Sequence, residues 1–423
     1  MNSYRIPSLT ENSYPSGFNI VPGCVLVGVF EAISLLDGDG NNLIARELDV
    51  MLPDFRHFSL SKTRHLYRYI VGLIHPSNMN LKSVSAVSEE ASSPCDQSSL
   101  NRFMNGNRTL VNGFNNSRIF GMARSGIERY MLIDDTLLVH PYGDNIEGVG
   151  TYWDAAEKRW IQGHNVVTSM AVTEKEVEPL DVGVYLKKDQ ATMIKAVFHT
   201  KIEIAVEMIR ARASMLKLRG AIFDCWYLCE KIMKACEKLG LHWYSDLRTN
   251  RIVYLPGNEK RFNVLELAKS LPDSAFRQVK LPDSWNRYTR MAELIVILKG
   301  KKTKARNVKL CILWDGKEDS ESYKFLATND LSADGVKQVE LRRLRWKIEE
   351  FHRDAKQNLG MTDCMLRKYD GVVIHLLLVL QAYSVLKRLL ASALNTVVTT
   401  VGEACRYLKR QALSARYSGR TGT

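Results

Sequence analysis

The 423-residue chain has eight cysteines but no CxxC pair, so a disulfide framework is not expected and a reducing compartment is. Cys225, Cys229 and Cys236 follow one helical face and read as small core residues, not as zinc ligands. The first residues show no basic stretch leading into an apolar run and a cleavage site, so export is not expected and a cytoplasmic location is. Long uninterrupted apolar runs are missing as well. The most apolar stretch, Val372 to Leu390, is broken by His375, Gln381, Lys387 and Arg388 and reads as a buried helix, while 23–36 is too short to span. No membrane partner is therefore expected. Internal repeats and low-complexity tracts are absent too. Acid is the scarcer charge: 46 Asp and Glu against 59 Lys and Arg leave a formal +13, which favours a polyanionic partner. Much of that excess is local, since residues 246–310 hold 15 Lys or Arg against 6 Asp or Glu.

A chain of this length is expected to form two or three domains. Residues 1–122 mix helical periodicity with Ser- and Asn-rich connections, and Ser59 to His75 has the spacing of an amphipathic helix. Residues 80–107 offer two short helices around a turn at Ser92 to Cys95, which fits helix-turn-helix geometry or an ordinary packed pair. From Arg129 the pattern turns to strands: RYMLIDDT, HNVVTSMAV from His164 and LDVGVYL from Leu180. A long helix is expected next, with Ile194, Phe198, Ile202, Ala205, Ile209 and Leu216 on one face. GAIFD, a helix from Trp226 to Leu239 and HWYSDL then alternate strand and helix, which favours parallel pairing.

Three antiparallel strands followed by such a unit describe an α/β fold with a ribonuclease-H-like mixed sheet and helices on both faces. We expect this core in two parts, 123–247 and 311–390, interrupted by a basic β-rich insertion at 248–310. A helical domain, 1–122, precedes it and a basic segment, 391–423, follows.

Arg345 to Gly360, RWKIEEFHRDAKQNLG, puts an acid between bases on one side of a helix. At about 100° per residue, Glu349 lies roughly 40° and Lys356 roughly 20° around the axis from Arg345, with Arg342 beside them. Leu344, Ile348, Phe351, Ala355 and Leu359 form the neighbouring apolar stripe. Asp135 in LIDDT and Asp224 in AIFD stand at strand ends. Taken singly, each acid reads as a strand-end cap or turn former. As a set, three carboxylates from separate elements suit two Mg²⁺ or Mn²⁺ ions roughly 3.5–4 Å apart and phosphodiester chemistry. Adjacent strand residues point oppositely, so only one of Asp134 and Asp135 can face such a site.

IDDT, the FDCWY strand-to-helix junction and RWKIEEFHRDAK occur in an order and separation that resembles the DDE transposases of the insertion-sequence-four superfamily, over about 79–390. Arg345, Glu349 and Lys356 match that family's Tyr-x2-Arg-x3-Glu-x6-Lys signature, whose Tyr position is Arg342 here. The resemblance implies Asp135, Asp224 and Glu349 as the metal-binding triad and Arg345 and Lys356 as phosphate contacts. It also implies cut-and-paste DNA transposition on terminal inverted repeats and target DNA, with a homodimer in the synaptic complex and DNA binding by the N-terminal domain. The departure at Arg342 puts hairpin formation at the transposon end in question.

Trp346 and Trp285 offer stacking for an unpaired base, although a Trp beside an apolar stripe also reads as partial core. His352 reads as a surface histidine and His140 as structural. Arg406, Lys409, Arg410, Arg416 and Arg420 would grip a DNA backbone or solubilise the chain end. A ribonuclease-H-like nuclease without strand transfer, and a non-catalytic domesticated DNA-binding protein, fit the same residues.

Overall fold

The computed structural model describes residues 39–51, 59–75, 83–90, 96–154, 157–300, 304–317 and 322–418. The turn expected at Ser92 to Cys95 lies outside them, as do the 23–36 stretch and Arg420.

Among the described residues five helices come first: α1 (Asp39–Met51), α2 (Leu60–Ile74), α3 (Val84–Glu90), α4 (Gln97–Gly106) and α5 (Arg108–Ala123). Strands β1 (Arg129–Val139), β2 (Gly150–Asp154), β3 (Arg159–Val172) and β4 (Val177–Tyr185) follow. Where one long helix was expected from Ile194, the chain forms α6 (Lys188–Met193) and α7 (Lys201–Ala213). Thr200 starts the second with a capping box, its hydroxyl accepting from Glu203 N–H while the Glu203 carboxylate accepts from Thr200 N–H. Local hydrogen bonding overrides the apolar periodicity there.

Strand β5 (Leu218–Phe223), helix α8 (Glu230–Lys238) and strand β6 (His242–Asp246) complete a unit in which β1, β5 and β6 run parallel. The spatial order β4-β3-β1-β5-β6 keeps β1 central, with β3 antiparallel to both β1 and β4. The sheet then continues through β12 (Tyr323–Thr328), β11 (Arg306–Trp314) and β10 (Arg290–Leu298) to the short strands β7 (Ile252–Tyr254) and β8 (Arg261–Asn263), with β9 (Arg277–Gln278) also paired to β10 and helix α9 (Val264–Ser270) following β8. Residues 252–298 thus extend one twelve-stranded mixed sheet.

Side-chain alternation divides the sheet into two faces. Leu132, Leu138, Val166, Met170 and Ile222 enter one core, and Met131, Ile133, Val167, Ala171, Ala221 and Phe223 enter another. The second core is covered by Ala205 and Ile209 of α7 and by Ile232, Met233 and Cys236 of α8. Against the first pack Ile348, Phe351 and Ala355 from helix α11 (Trp346–Asn358), together with helix α12 (Tyr369–Ala391). Truncating a fully buried ring such as Phe351 to Ala typically costs about 3–5 kcal/mol.

Helix α12 is long and apolar enough to cross a membrane, yet every residue from Gly371 to Leu386 is buried inside the protein. Its buried polar side chains find partners, His375 in Tyr69 Oη and Gly360 O at 2.8 Å each and Gln381 Nε2 in Asn115 Oδ1 at 2.7 Å, while Gln381 Oε1 is left without one. A last helix, α13 (Val401–Ser418), packs on α1 and α11.

The stretch around Arg345 is not one helix. Helix α10 (Gly335–Leu344), capped by Asp334, ends where Arg345 N–H turns back to Arg342 O at 3.2 Å, and α11 starts afresh at Trp346. It stops at Gly360, whose φ of +67° favours glycine, while Met361 N–H returns to Ala355 O at 3.0 Å.

Candidate active site

Asp134 and Asp135 are neighbours in β1 and sit on opposite faces of the sheet. Asp134 shares the face of Leu132, against which α11 packs, and Arg345 forms ion pairs with both Asp134 and Glu349. Asp224 stands two residues beyond Ile222, and Ile222 is in parallel register with Leu132, so Asp134 and Asp224 continue the same register on adjacent strands. The Asp224 carboxylate accepts from the N–H groups of Trp226 and Tyr227 at 2.9 and 3.2 Å, which fixes it at the strand end. Asp134 and Glu349 therefore share Arg345, and Asp224 follows in register beside Asp134, near enough to act on it electrostatically.

Burial pushes the Asp134 carboxyl up to about 6; Arg345 opposes the shift and the charges of Asp224 and Asp135 add to it. The Asp135 N–H donates to Asp134 Oδ1 at 2.9 Å. Farther along α11, Lys356 donates to Thr136 Oγ1 at 2.7 Å, and Thr136 alternates onto the Asp134 face. Burial lowers the Lys356 ammonium from its usual value. His352 was expected at the surface. It is buried, shares a 2.7 Å hydrogen bond with Thr168 Oγ1, and is held neutral down to about 3 by burial and by the charges of Lys356 and Arg345. The α11 stripe faces the sheet, which helical spacing by itself does not reveal.

Asp135 points to the other face. It accepts from Lys201 Nζ at 2.7 Å and from Tyr227 Oη at 3.0 Å, beside α7. This corrects the choice between the two adjacent acids, because Glu349 and Arg345 approach from the side that Asp134 faces. Asp135 acts on the site through its neighbours: its backbone holds Asp134, and its carboxylate holds Tyr227, three residues after Asp224.

Arg342 belongs to α10 and is not on the α11 stripe. Its guanidinium grips Asp246 at the end of β6, at 2.8 and 2.5 Å. Burial raises the Asp246 carboxyl, but the hydrogen bonds and charge of Arg342 outweigh that and hold it below its usual value. A cleft of about 1340 Å³ is lined by Arg342, Arg345, Trp346 and Glu349, together with Trp285 and Arg287. Trp346 is 57% exposed there, whereas Trp285 packs in part against the small core around Tyr288. Lys356 and the three aspartates do not line this cleft. His140 is buried against His164, with ring centres 5.0 Å apart, in keeping with a structural part. Cys225 and Cys229 are partly buried and Cys236 fully, all as free thiols.

Among the described residues no three His, Cys, Asp or Glu side chains are grouped closely enough to hold a metal ion. Asp134 and Glu349 instead turn to the Arg345 guanidinium, a cation held where carboxylates converge. The donor chemistry, carboxylate oxygens from three elements, fits hard divalent cations once Arg345 yields to one. Arg345 has a second partner to take, since its Nε is buried without a hydrogen bond.

The family model described as the transposase DDE domain matches residues 128–385, from the start of β1 into α12 and including every acid discussed above. No curated protein matches the chain.

Proposed function

The chain belongs to the transposase DDE domain family, and from that premise we propose that it is a DNA transposase that cleaves transposon ends and joins them to target DNA. The observation that carries the reading is that Arg345 pairs with both Asp134 and Glu349 on one sheet face, with Asp224 in register beside Asp134. The order β4-β3-β1-β5-β6 supports a ribonuclease-H-like core. Membership of the insertion-sequence-four superfamily rests on the Arg345, Glu349 and Lys356 spacing, with Arg342 at the Tyr position.

Asp134, Asp224 and Glu349 would hold Mg²⁺ or Mn²⁺, probed in the test below. Bound there, two such ions supply an activated attacking oxygen and stabilisation of the leaving oxygen. Arg345, its Nε unsatisfied, would bind a phosphate oxygen, while Asp134 and Glu349 would be carboxylates that hold the metal. Lys356, fixed by Thr136 and half desolvated, supplies a second cation beside the scissile phosphate. Neutral His352 orients Thr168, whose hydroxyl also reaches the Asp134 carbonyl at 3.3 Å, and so steadies the strand under the acid. Trp346, exposed in the cleft, and Trp285, which also lines it, stack on bases of the duplex end. Arg342 meets the DNA backbone only when Asp246 lets it go. The substrate is double-stranded DNA, a homodimer is the working assembly, and the compartment is the cytoplasm of a prokaryotic cell.

The test incubates the protein with Mg²⁺ or Mn²⁺, a labelled transposon end and a target plasmid. The reading expects cleaved and joined products that disappear in Asp134→Asn, Asp224→Asn and Glu349→Gln. Cleavage without joining would favour a nuclease, and full activity in any of the three variants would remove the triad.

A further inference from the structure

The hairpin of β2 and β3 runs past the end of β1, whose last registered pair with β3 is Val139 with Gly163. Near its tip Trp153 and Trp160 face each other directly across the two strands. Their rings meet edge to face, 5.6 Å between centres, yet they remain 54% and 67% exposed. Trp160 has the same parity along β3 as Val166 and Met170 of the first core, so both indoles lie on the Asp134 face. Asp154, next to Trp153, acts electrostatically on Lys356. Lys158 and Arg159 lie between the two tryptophans in sequence, as do Asp154 and Glu157, and Glu157 pairs with Arg159 at 3.0 Å.

We propose that the Trp153–Trp160 pair is a stacking platform for unpaired bases of a DNA strand that leaves the active-site face. Two indoles held edge to face offer a π surface and little hydrogen-bonding specificity, which suits any base. A second protein chain fits less well: about 300 Å² of exposed indole is far below the roughly 800 Å² per partner of a stable interface. The proposal rests on the reading of the chain as a DNA-processing enzyme, but it concerns binding and not cleavage.

The experiment measures fluorescence anisotropy of the full chain, without divalent metal, against a labelled oligothymidylate of roughly 16 nucleotides and a blunt duplex of equal length. Trp153→Ala/Trp160→Ala is expected to weaken single-strand binding about tenfold or more, the loss of one stacked base, and to leave duplex binding within about twofold. Trp153→Phe/Trp160→Phe retains most of the single-strand affinity. Equal losses on both DNAs, no loss on either, or a changed sedimentation coefficient would overturn the proposal. A wild-type control guards against misfolding of the Ala pair: photocrosslinking to iododeoxyuridine in the oligonucleotide maps to the 153–160 hairpin, and crosslinks exclusively elsewhere refute the platform. Loss of cleavage in Asp134→Asn with single-strand binding intact separates this result from the fate of the catalytic reading.

Discussion

Asp134 and Asp135 are adjacent residues of one strand with the same side chain, and the sheet sends them into different electrostatic surroundings. On one face Asp134 meets a second carboxylate, a third through Arg345, and burial that pushes it up to about 6. On the other face Asp135 meets one ammonium and one phenol hydroxyl. The difference teaches what a cation does in each place. Lys201 neutralises a single acid and anchors α7 to β1, while Arg345 bridges two acids and so holds together groups that would repel without it. The first arrangement stabilises a junction; the second is poised for exchange with another cation.

The largest effect should come from the acids themselves. Asp134→Ala removes a carboxylate from the converging set and lowers cleavage by on the order of 10³-fold. Asp135→Ala loosens Tyr227 and the Asp224 turn, a supporting role worth about 10–100-fold. Single-turnover cleavage of a labelled end, with Mn²⁺ titrated for each variant, reads both. If Asp135→Ala proves as damaging as Asp134→Ala at saturating Mn²⁺, the assignment of faces is wrong.

The cations sharpen the same contrast at smaller scale. Arg345→Ala should lower cleavage by on the order of 10²-fold, because the charge facing the phosphate is lost. Lys201→Ala leaves Asp135 partly buried without its ammonium, which costs about 1–3 kcal/mol of stability, and should reduce cleavage by no more than Asp135→Ala does. Urea unfolding beside the cleavage assay separates the two outcomes. A stable Lys201→Ala protein that cannot cut DNA would place the functional cation on the wrong face.

Much of this was legible in the residues, and the part that was not has a physical cause. The strand run of β1, β3 and β4, the parallel β5 and β6, and the apolar stripe of Ile348, Phe351 and Ala355 all follow from periodicity, which the sheet and core preserve. Alternation also says that only one of two adjacent acids can face a site. Which one depends on the side of the sheet that α11 covers, a long-range fact set by packing 200 residues away in sequence. The same ambiguity hid His352, since a polar stripe turned toward Thr136 and Thr168 looks, on a helical wheel, like one turned toward water. Arg342 was misjudged for a local reason: the helix breaks at Arg345, and Asp246 draws the arginine to the end of β6.

The finest comparison lies within the Asp134 face, where two groups titrate with opposite consequences for stability. Asp134 is raised from an unfolded value near 3.8 to about 6. Between those values the folded chain binds the extra proton, so its contribution to stability falls as pH rises, by up to about 3 kcal/mol. His352 is lowered from 6.5 to about 3. There the unfolded chain binds the extra proton, so its contribution rises with pH over the same range and is lost on acidification. In the wild type the two slopes oppose each other between about pH 4 and 6. Asp134→Asn removes one of them, and its urea midpoint should then climb more steeply with pH than the wild type's, whereas His352→Gln should flatten or invert the profile. The proton on Asp134 also competes with metal: below pH 6, Mn²⁺ affinity should drop toward tenfold per pH unit in the wild type and lose that part of its pH dependence in Asp134→Asn. Parallel pH profiles for wild type and Asp134→Asn, in both stability and Mn²⁺ binding, would mean that the acid on this face is ionised throughout.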